Sequence, residues 1–283
     1  MPNPSSTLGT LRTDISGALT EFDLAMNQLG FVAYQVLRPF DVGRASGEFG
    51  KVPIESLLRT ISTERASGSG YNRSTWEFES DTFRTREHGN ECVVDQRDEA
   101  LYRDFVDAET VTAARCRHIV LQNAELRVAS MLQNATTWTP TAITNEWDDF
   151  TNATPLTDVE AAINRLWAKG ISANALILTR NQYRNLRFCQ QVLDRITSAG
   201  AGQSILPAQI NTALLAQAFD LRHIIVASGI QNVADYGQGA SPTGIWSDEY
   251  ACVTRIAESN DIAEPCIGRT FHYTDDGSEI GGL

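Results

Sequence analysis

The longest unbroken periodic pattern in the chain runs from Asp107 to Gln133, DAETVTAARCRHIVLQNAELRVASMLQ. Ala113, Cys116, Val120, Ala124, Val128 and Met131 recur at steps of three and four, one stripe of a 3.6-residue period, while Arg115, Gln122, Glu125 and Gln133 fall mainly off it. No Gly or Pro interrupts the run, so the pattern predicts a single helix of roughly 40 Å. Asp107 offers an acceptor to the first free amides and Glu109 adds negative charge to the first turn. A helix with one apolar stripe needs a sheet or other helices along its length. The segment is therefore either a spine for the rest of the chain or one helix of a bundle.

Before the spine the patterning is poorer. In residues 1–36, Phe22, Leu24, Met26, Leu29 and Phe31 fit neither the helical nor the strand period. They predict an extended arm with a short regular piece, whose apolar groups need cover from another surface. Residues 37–90 carry Pro39, Gly43, Gly47, Gly50 and Pro53, then the flexible ASGSGYNRS. STWEFESDTFRTRE follows and alternates, with Trp76, Phe78 and Ser80 on one face and Glu77, Glu79 and Asp81 on the other, a two-faced strand. The whole predicts a long hairpin with too few apolar residues for a core. It is either a contact arm for a neighbour or a surface hairpin packed on its own domain. The contact candidates on it are Lys51, Trp76, Glu77, Phe78, Glu79, Arg84 and Arg86.

After the spine, ATTWTPTAITNEWDDFTNATPL reads as a linker. Thr157 or Asp158 then starts a helix that Gly170 closes as a left-handed C-cap. ANALILT is a buried strand, NQYRNLRFCQQVLDRI a helix, Pro207 the start of the helix PAQINTALLAQAFD, and LRHIIVAS a second buried strand. A Gly-rich loop at 229–244 leads to a third strand in IWSDEYACVTRIA, and PCIGRTFHYTDDGSEIGGL reads as a strand returning toward the spine. This order is that of a mixed α/β lobe.

Charge and chemistry narrow the function. With 42% hydrophobic and 20% charged residues the chain is globular, and no apolar run is long enough to cross a bilayer. The start MPNPSSTLGTLRTD lacks a signal-peptide core, so the protein is expected inside a cell or inside something assembled there. The net charge is −12, and both 1–100 (10 basic, 15 acidic) and 101–283 (13 basic, 20 acidic) are acidic. No basic stripe is present to grip nucleic acid. Lys51 and Lys169 are the only lysines, and arginine's planar fork suits protein–protein contacts. Five scattered cysteines without a C-x-x-C pair suit reduced, structural thiols, with Cys116 as a small core residue.

A search for catalysis is empty. GEFGKV around Lys51 lacks the P-loop spacing and hydroxyl, and GSG at 68–70 lacks the third glycine of a dinucleotide fingerprint. There is no G-x-S-x-G and no H-E-x-x-H. His88, His118, His223 and His272 are dispersed, and Glu146–Asp149 and Asp275–Asp276 lack calcium-loop spacing. No catalytic, cofactor-binding or metal-ligating residue is expected.

Three phrases in order, ANALILTRNQYRNL, LLAQAFDLRHIIVASGIQN and GIWSDEYACVTRIA, together with the layout around them, resemble the major capsid proteins of tailed bacteriophages. The resemblance implies an α+β fold of the Hong Kong phage type. It divides the chain into an N-terminal arm (1–36), an extended loop (37–90), a peripheral lobe with the spine helix (91–135 and 250–283) and an axial lobe (136–249). It implies a structural protein that assembles as pentamers and hexamers into an icosahedral head around double-stranded DNA. Its partners would be itself with scaffolding, portal and decoration proteins. It would be assembled in the host cytoplasm, and its acidity would keep the inner wall from gripping packed DNA. Family members usually continue past the position of Leu283 with another strand, and some crosslink a loop lysine, for which Lys51 is the counterpart by place alone. An intracellular α/β enzyme with an unrecognised site, a compartment-forming shell protein of the same fold and a head–tail adaptor are the competing readings.

Overall fold

A computed structural model describes residues 30–75, 78–95, 97, 108–197, 206–235, 237–261 and 264–273. The expectations for the arm before Gly30, for the Asp107 cap and for Asp275–Asp276 lie outside them. Its centre is the run ALILT, whose five residues are all buried as strand β4 (Ala175–Thr179). A continuous apolar run is what a strand covered on both faces requires. Strand β5 (His223–Ala227) lies parallel to it, pairing Ala175 with His223 through Thr179 with Ala227. Strand β8 (Cys252–Thr254) lies antiparallel on the other edge, pairing Ala175 with Thr254. Of the stretch IWSDEYACVTRIA only these three residues are strand; Ile245 and Trp246 are buried in the loop before it.

Alternation along β4 sends its neighbours to opposite cores. Ala175 and Ile177 face Val128, Ala129 and Leu132 of the long helix, together with Val32, Ala33 and Val36 of the N-terminal segment. Leu176 and Leu178 face the helical layer through Leu186, Cys189, Val192, Leu215 and Phe219. The strand is thus the partition between two apolar clusters.

The spine is helix α3 (Ala108–Leu132), about 37 Å long. Its buried face is Ala124, Glu125, Val128, Ala129 and Leu132, and Met131 is exposed. The expected stripe is therefore rotated by one position, because the partners that cover it make room for Glu125. The preceding helix α1 (Ala33–Val36) is the short regular piece of the arm, and its apolar groups are covered by its own chain.

In the helical layer, α4 (Pro155–Trp167) begins earlier than Thr157, with Pro155 in its first turn, where a missing N–H costs nothing. It ends as expected: Gly170 has φ +78°, its N–H donates to Trp167 O at 2.8 Å and that of Ile171 to Leu166 O at 3.0 Å. The helix expected over NQYRNLRFCQQVLDRI is two helices, α5 (Arg180–Phe188) and α6 (Gln190–Ile196), broken at Cys189, whose backbone is extended. Pro207 opens only a 3₁₀ turn, Pro207–Gln209. The following helix α7 (Thr212–Phe219) is capped by Asn211, whose side chain accepts from Leu214 N at 2.9 Å.

Two ribbons complete the fold. The Gly-rich loop 229–244 forms strands β6 (Ile230–Asn232) and β7 (Pro242–Gly244), paired antiparallel. Near the chain's two ends, β1 (Pro39–Asp41) pairs in parallel with β9 (Thr270–His272). Between them in sequence lies the predicted hairpin.

Candidate contact surface

Strands β2 (Ser46–Lys51) and β3 (Glu79–Arg84) pair antiparallel over six residues, from Ser46 with Arg84 to Lys51 with Glu79. The 27 residues that link them include helix α2 (Ile54–Leu58), and residues 59–75 are exposed throughout. A six-residue pair of strands is not stable by itself in water. The ribbon is held at its base by aromatic packing. Phe271 of β9 lies 4.8 Å from Phe83 and 5.6 Å from Phe49, ring centroid to centroid, and 6.3 Å from Phe40 of β1. Gly47, opposite Phe83, leaves room for that ring: a Cβ there would meet Phe83 Cε1 at 3.1 Å.

This anchor decides which face of the strand turns outward. Asp81, Phe83 and Thr85 are half-buried, whereas Ser80, Thr82 and Arg84 are exposed. The alternation in the sequence is real, but the inward aromatic is Phe83, so the face expected to be polar turns toward the body. Phe78 lies just before β3 and is 74% exposed. Glu79, Arg84 and Arg86 are exposed as well. Lys51 forms an ion pair with Asp81, whose carboxyl is held low first by the Lys51 hydrogen bond and then by the backbone N–H of Thr82. Trp76 and Glu77 are outside the described residues. The candidates that are described thus share one projecting ribbon. Around them Val52, Ile61 and Tyr71 also expose apolar surface. Exposed apolar groups on a two-stranded ribbon are costly to leave in water.

Helix α2 reaches back to the helical layer. The Leu58 side chain lies over the C-terminal turn of α4, so close that a Cβ on Gly170 would meet Leu58 Cδ1 at 2.2 Å. The ribbon's return limb is also joined to the body. Cys92 and Cys116 form a disulfide, which corrects the expectation of reduced thiols and of Cys116 as a core residue. Spacing alone did not reveal the pair; proximity created by the fold did.

A second set of polar groups fixes the body against which the ribbon stands. Glu125 Oε2 accepts from Val32 N at 3.0 Å and Ala33 N at 2.7 Å, and Oε1 accepts from Trp246 Nε1 at 2.5 Å. Burial raises the Glu125 carboxyl above its ordinary range, and the three N–H donors oppose that shift. Gln133, at the other end of the same helical face, exchanges two hydrogen bonds with the backbone of Ser247 at 3.1 and 2.9 Å. Asp248 accepts from Thr179 Oγ1 and from Asn181 Nδ2, and its carbonyl accepts from Gln182 Nε2 at 2.6 Å. Loop 245–248 is thereby tied to both the spine and α5. The Asp149 carboxylate is taken up by Thr151 N, Asn152 N and Asn152 Nδ2, a local turn. Among the described residues no group of three His, Cys, Asp or Glu side chains is placed to hold a metal ion, and no helix is long and apolar enough to cross a membrane.

No protein-family model and no curated protein matches the chain. Its fold is nevertheless shared. The crystal structure of a phage-related protein from Bordetella bronchiseptica RB50 superimposes with a TM-score of 0.60 at 17% identity, over 89% of this chain and 81% of that one. Chains from Microbacterium phage Oxtober96 (15% identity, 56% of this chain, 54% of that, TM-score 0.40) and Mycobacterium phage Adephagia (10%, 56%, 55%, 0.40) overlap it in part. The mixed helix-and-strand architecture is thus one found in a phage-related protein.

Proposed function

We propose that the chain is a structural shell subunit, the major capsid protein of a tailed phage, with the Hong Kong phage-type fold. Copies of it join as pentamers and hexamers into a closed head around double-stranded DNA. The observation that carries this reading is the β2–β3 ribbon, seated at its base on Phe271 and leaving Phe78, Tyr71, Ile61 and Val52 uncovered. In a solitary protein that surface is a liability; in a shell a neighbouring subunit covers it. The fold shared with a phage-related protein supports the same reading, as does the net charge of −12, which disfavours phosphate binding along the inner wall. The protein then has no catalytic step of its own. Scaffolding and portal proteins are its assembly partners, the host cytoplasm is where it assembles, and the virion is its final location.

Negative-stain electron microscopy of the purified chain, with sedimentation velocity, tests the proposal. Rings of five or six subunits, or closed shells tens of nanometres across, are the expected result. A chain that stays monomeric at high concentration, with crowding agent and scaffolding protein added, overturns it.

A further inference from the structure

We propose that Cys92 and Cys116 are an oxidation-dependent staple. It fixes the return limb of the ribbon to the spine helix, and is open while the chain is in a reducing compartment and closed after it leaves. The two residues are bonded with their Cα atoms 6.2 Å apart, across 24 residues of sequence. The limb meets the spine at this point, for Asn90 Nδ2, two residues before Cys92, also lies 3.6 Å from Cys116 Sγ of α3. Residues 86–91 of the limb are exposed, and Val93 is 87% exposed. Packing there is slight, and the S–S bond supplies a firm tie.

The other three cysteines differ in kind. Burial pushes the thiols of Cys189 and Cys252 up to about 11, which leaves them protonated and weakly nucleophilic at neutral pH. Cys266 donates to the Gly268 carbonyl at 3.5 Å. Cys92 and Cys116 are only half-buried, and Asn90 Nδ2 lies 3.4 Å from one sulfur and 3.6 Å from the other. That amide is a donor to whichever sulfur departs as thiolate. With glutathione disulfide as oxidant, the Cys92 thiolate attacks one glutathione sulfur and expels a glutathione thiolate. The Cys116 thiolate then attacks Cys92 Sγ in the mixed disulfide and expels the second. The two cysteines lose two electrons and two protons, and glutathione disulfide takes them up as two thiols. Cytosolic glutathione holds the pair open, and the medium outside a cell does not.

The test uses the full chain in whatever assembly state it adopts. Aliquots equilibrated in reduced or oxidised glutathione buffer are acid-quenched, denatured and alkylated. The reduced sample is expected to label at all five cysteines, and the oxidised one at Cys189, Cys252 and Cys266 alone, with the peptides of Cys92 and Cys116 linked. Hydrogen exchange of residues 85–95 is expected to be about 10-fold faster in the reduced protein and in a Cys92→Ser/Cys116→Ser variant, while β4 exchange stays the same. Five labels in oxidised buffer, or limb exchange that is equal in all three samples, overturns the proposal. Only the timing of closure rests on the shell reading: a staple that closes in a chain unable to form shells refutes that reading and leaves the staple standing.

Discussion

The indole N–H of Trp246 donates to Glu125 Oε1 at 2.5 Å, across 121 residues of sequence and out of reach of solvent. The other carboxylate oxygen takes the N–H groups of Val32 and Ala33. One side chain of the spine therefore gathers the arm's short helix and the loop beyond the α/β layer.

Replacing Glu125 tests how much depends on that arrangement. All its partners are donors, so a glutamine amide in its place would offer one acceptor and set an NH₂ against the rest. Glu125→Gln is expected to cost about 1–3 kcal/mol. Glu125→Ala, which leaves every donor unpaired, is expected to cost about 3–5 kcal/mol. Denaturant unfolding followed by Trp fluorescence reads both; losses below the error of the extrapolation would show the clasp to be dispensable.

The acid limb of stability has a separate source. Glu264 receives the N–H groups of Glu258 and Ser259 and the Ser259 hydroxyl, which lower its carboxyl from 4.5 to about 2, with Arg269 adding to the shift. A carboxyl lowered by folding contributes stability that is complete above its unfolded value and is lost as pH falls through its folded one. Melting temperature is thus expected to fall between pH 4.5 and 2, and Glu264→Gln to flatten that fall. Glu125 acts in the opposite sense, because its raised value favours the folded state below the ordinary range and loses that advantage as pH rises. Parallel titrations of wild type and Glu264→Gln with indistinguishable slopes would rule out this account.

At Gly170 two penalties coincide, a positive φ of +78° and Leu58 Cδ1 where a side chain would begin. Gly170→Ala is expected to destabilise by about 1–2 kcal/mol from backbone strain, with more from the clash. Leu58→Ala in the same chain removes only the clash. A double-mutant cycle is therefore expected to show coupling, and strict additivity would mean that α2 does not rest on α4 in solution.

Charge reversal on the ribbon separates folding from association. Arg84 and Arg86 are exposed, so Arg84→Glu and Arg86→Glu are expected to change unfolding free energy by no more than about 0.5 kcal/mol. Under the shell reading the same changes abolish ring or shell formation by electron microscopy. Normal assembly by the doubly reversed chain would remove both residues from the contact surface.

The sequence was most legible where a single local cause dominates. Four of the five residues of ALILT are apolar and consecutive, so burial on both faces was readable there, and Gly170 announced the end of α4. Glu125 was not readable. A carboxylate one step off an apolar stripe looks solvent-facing until donors from residues 32, 33 and 246 are brought to it. Phe78, just before β3, and Phe83 on it differ by an odd number of positions, and Phe271, about 190 residues later, takes up Phe83. Cys92 and Cys116 carried no motif, because only the fold brings the limb to the spine. Helix breaks at Cys189 and after Pro207 were hidden by good helical periodicity on either side.

The parallel pairing of β1 with β9 has a consequence for synthesis. Asp41 and His272 are 231 positions apart and are register partners, and Phe271 beside His272 is what seats the ribbon. While the chain is still on the ribosome, the ribbon has been made but its seat has not. The order of synthesis makes seating of the ribbon wait until Phe271 has been added, about 190 residues after Phe83.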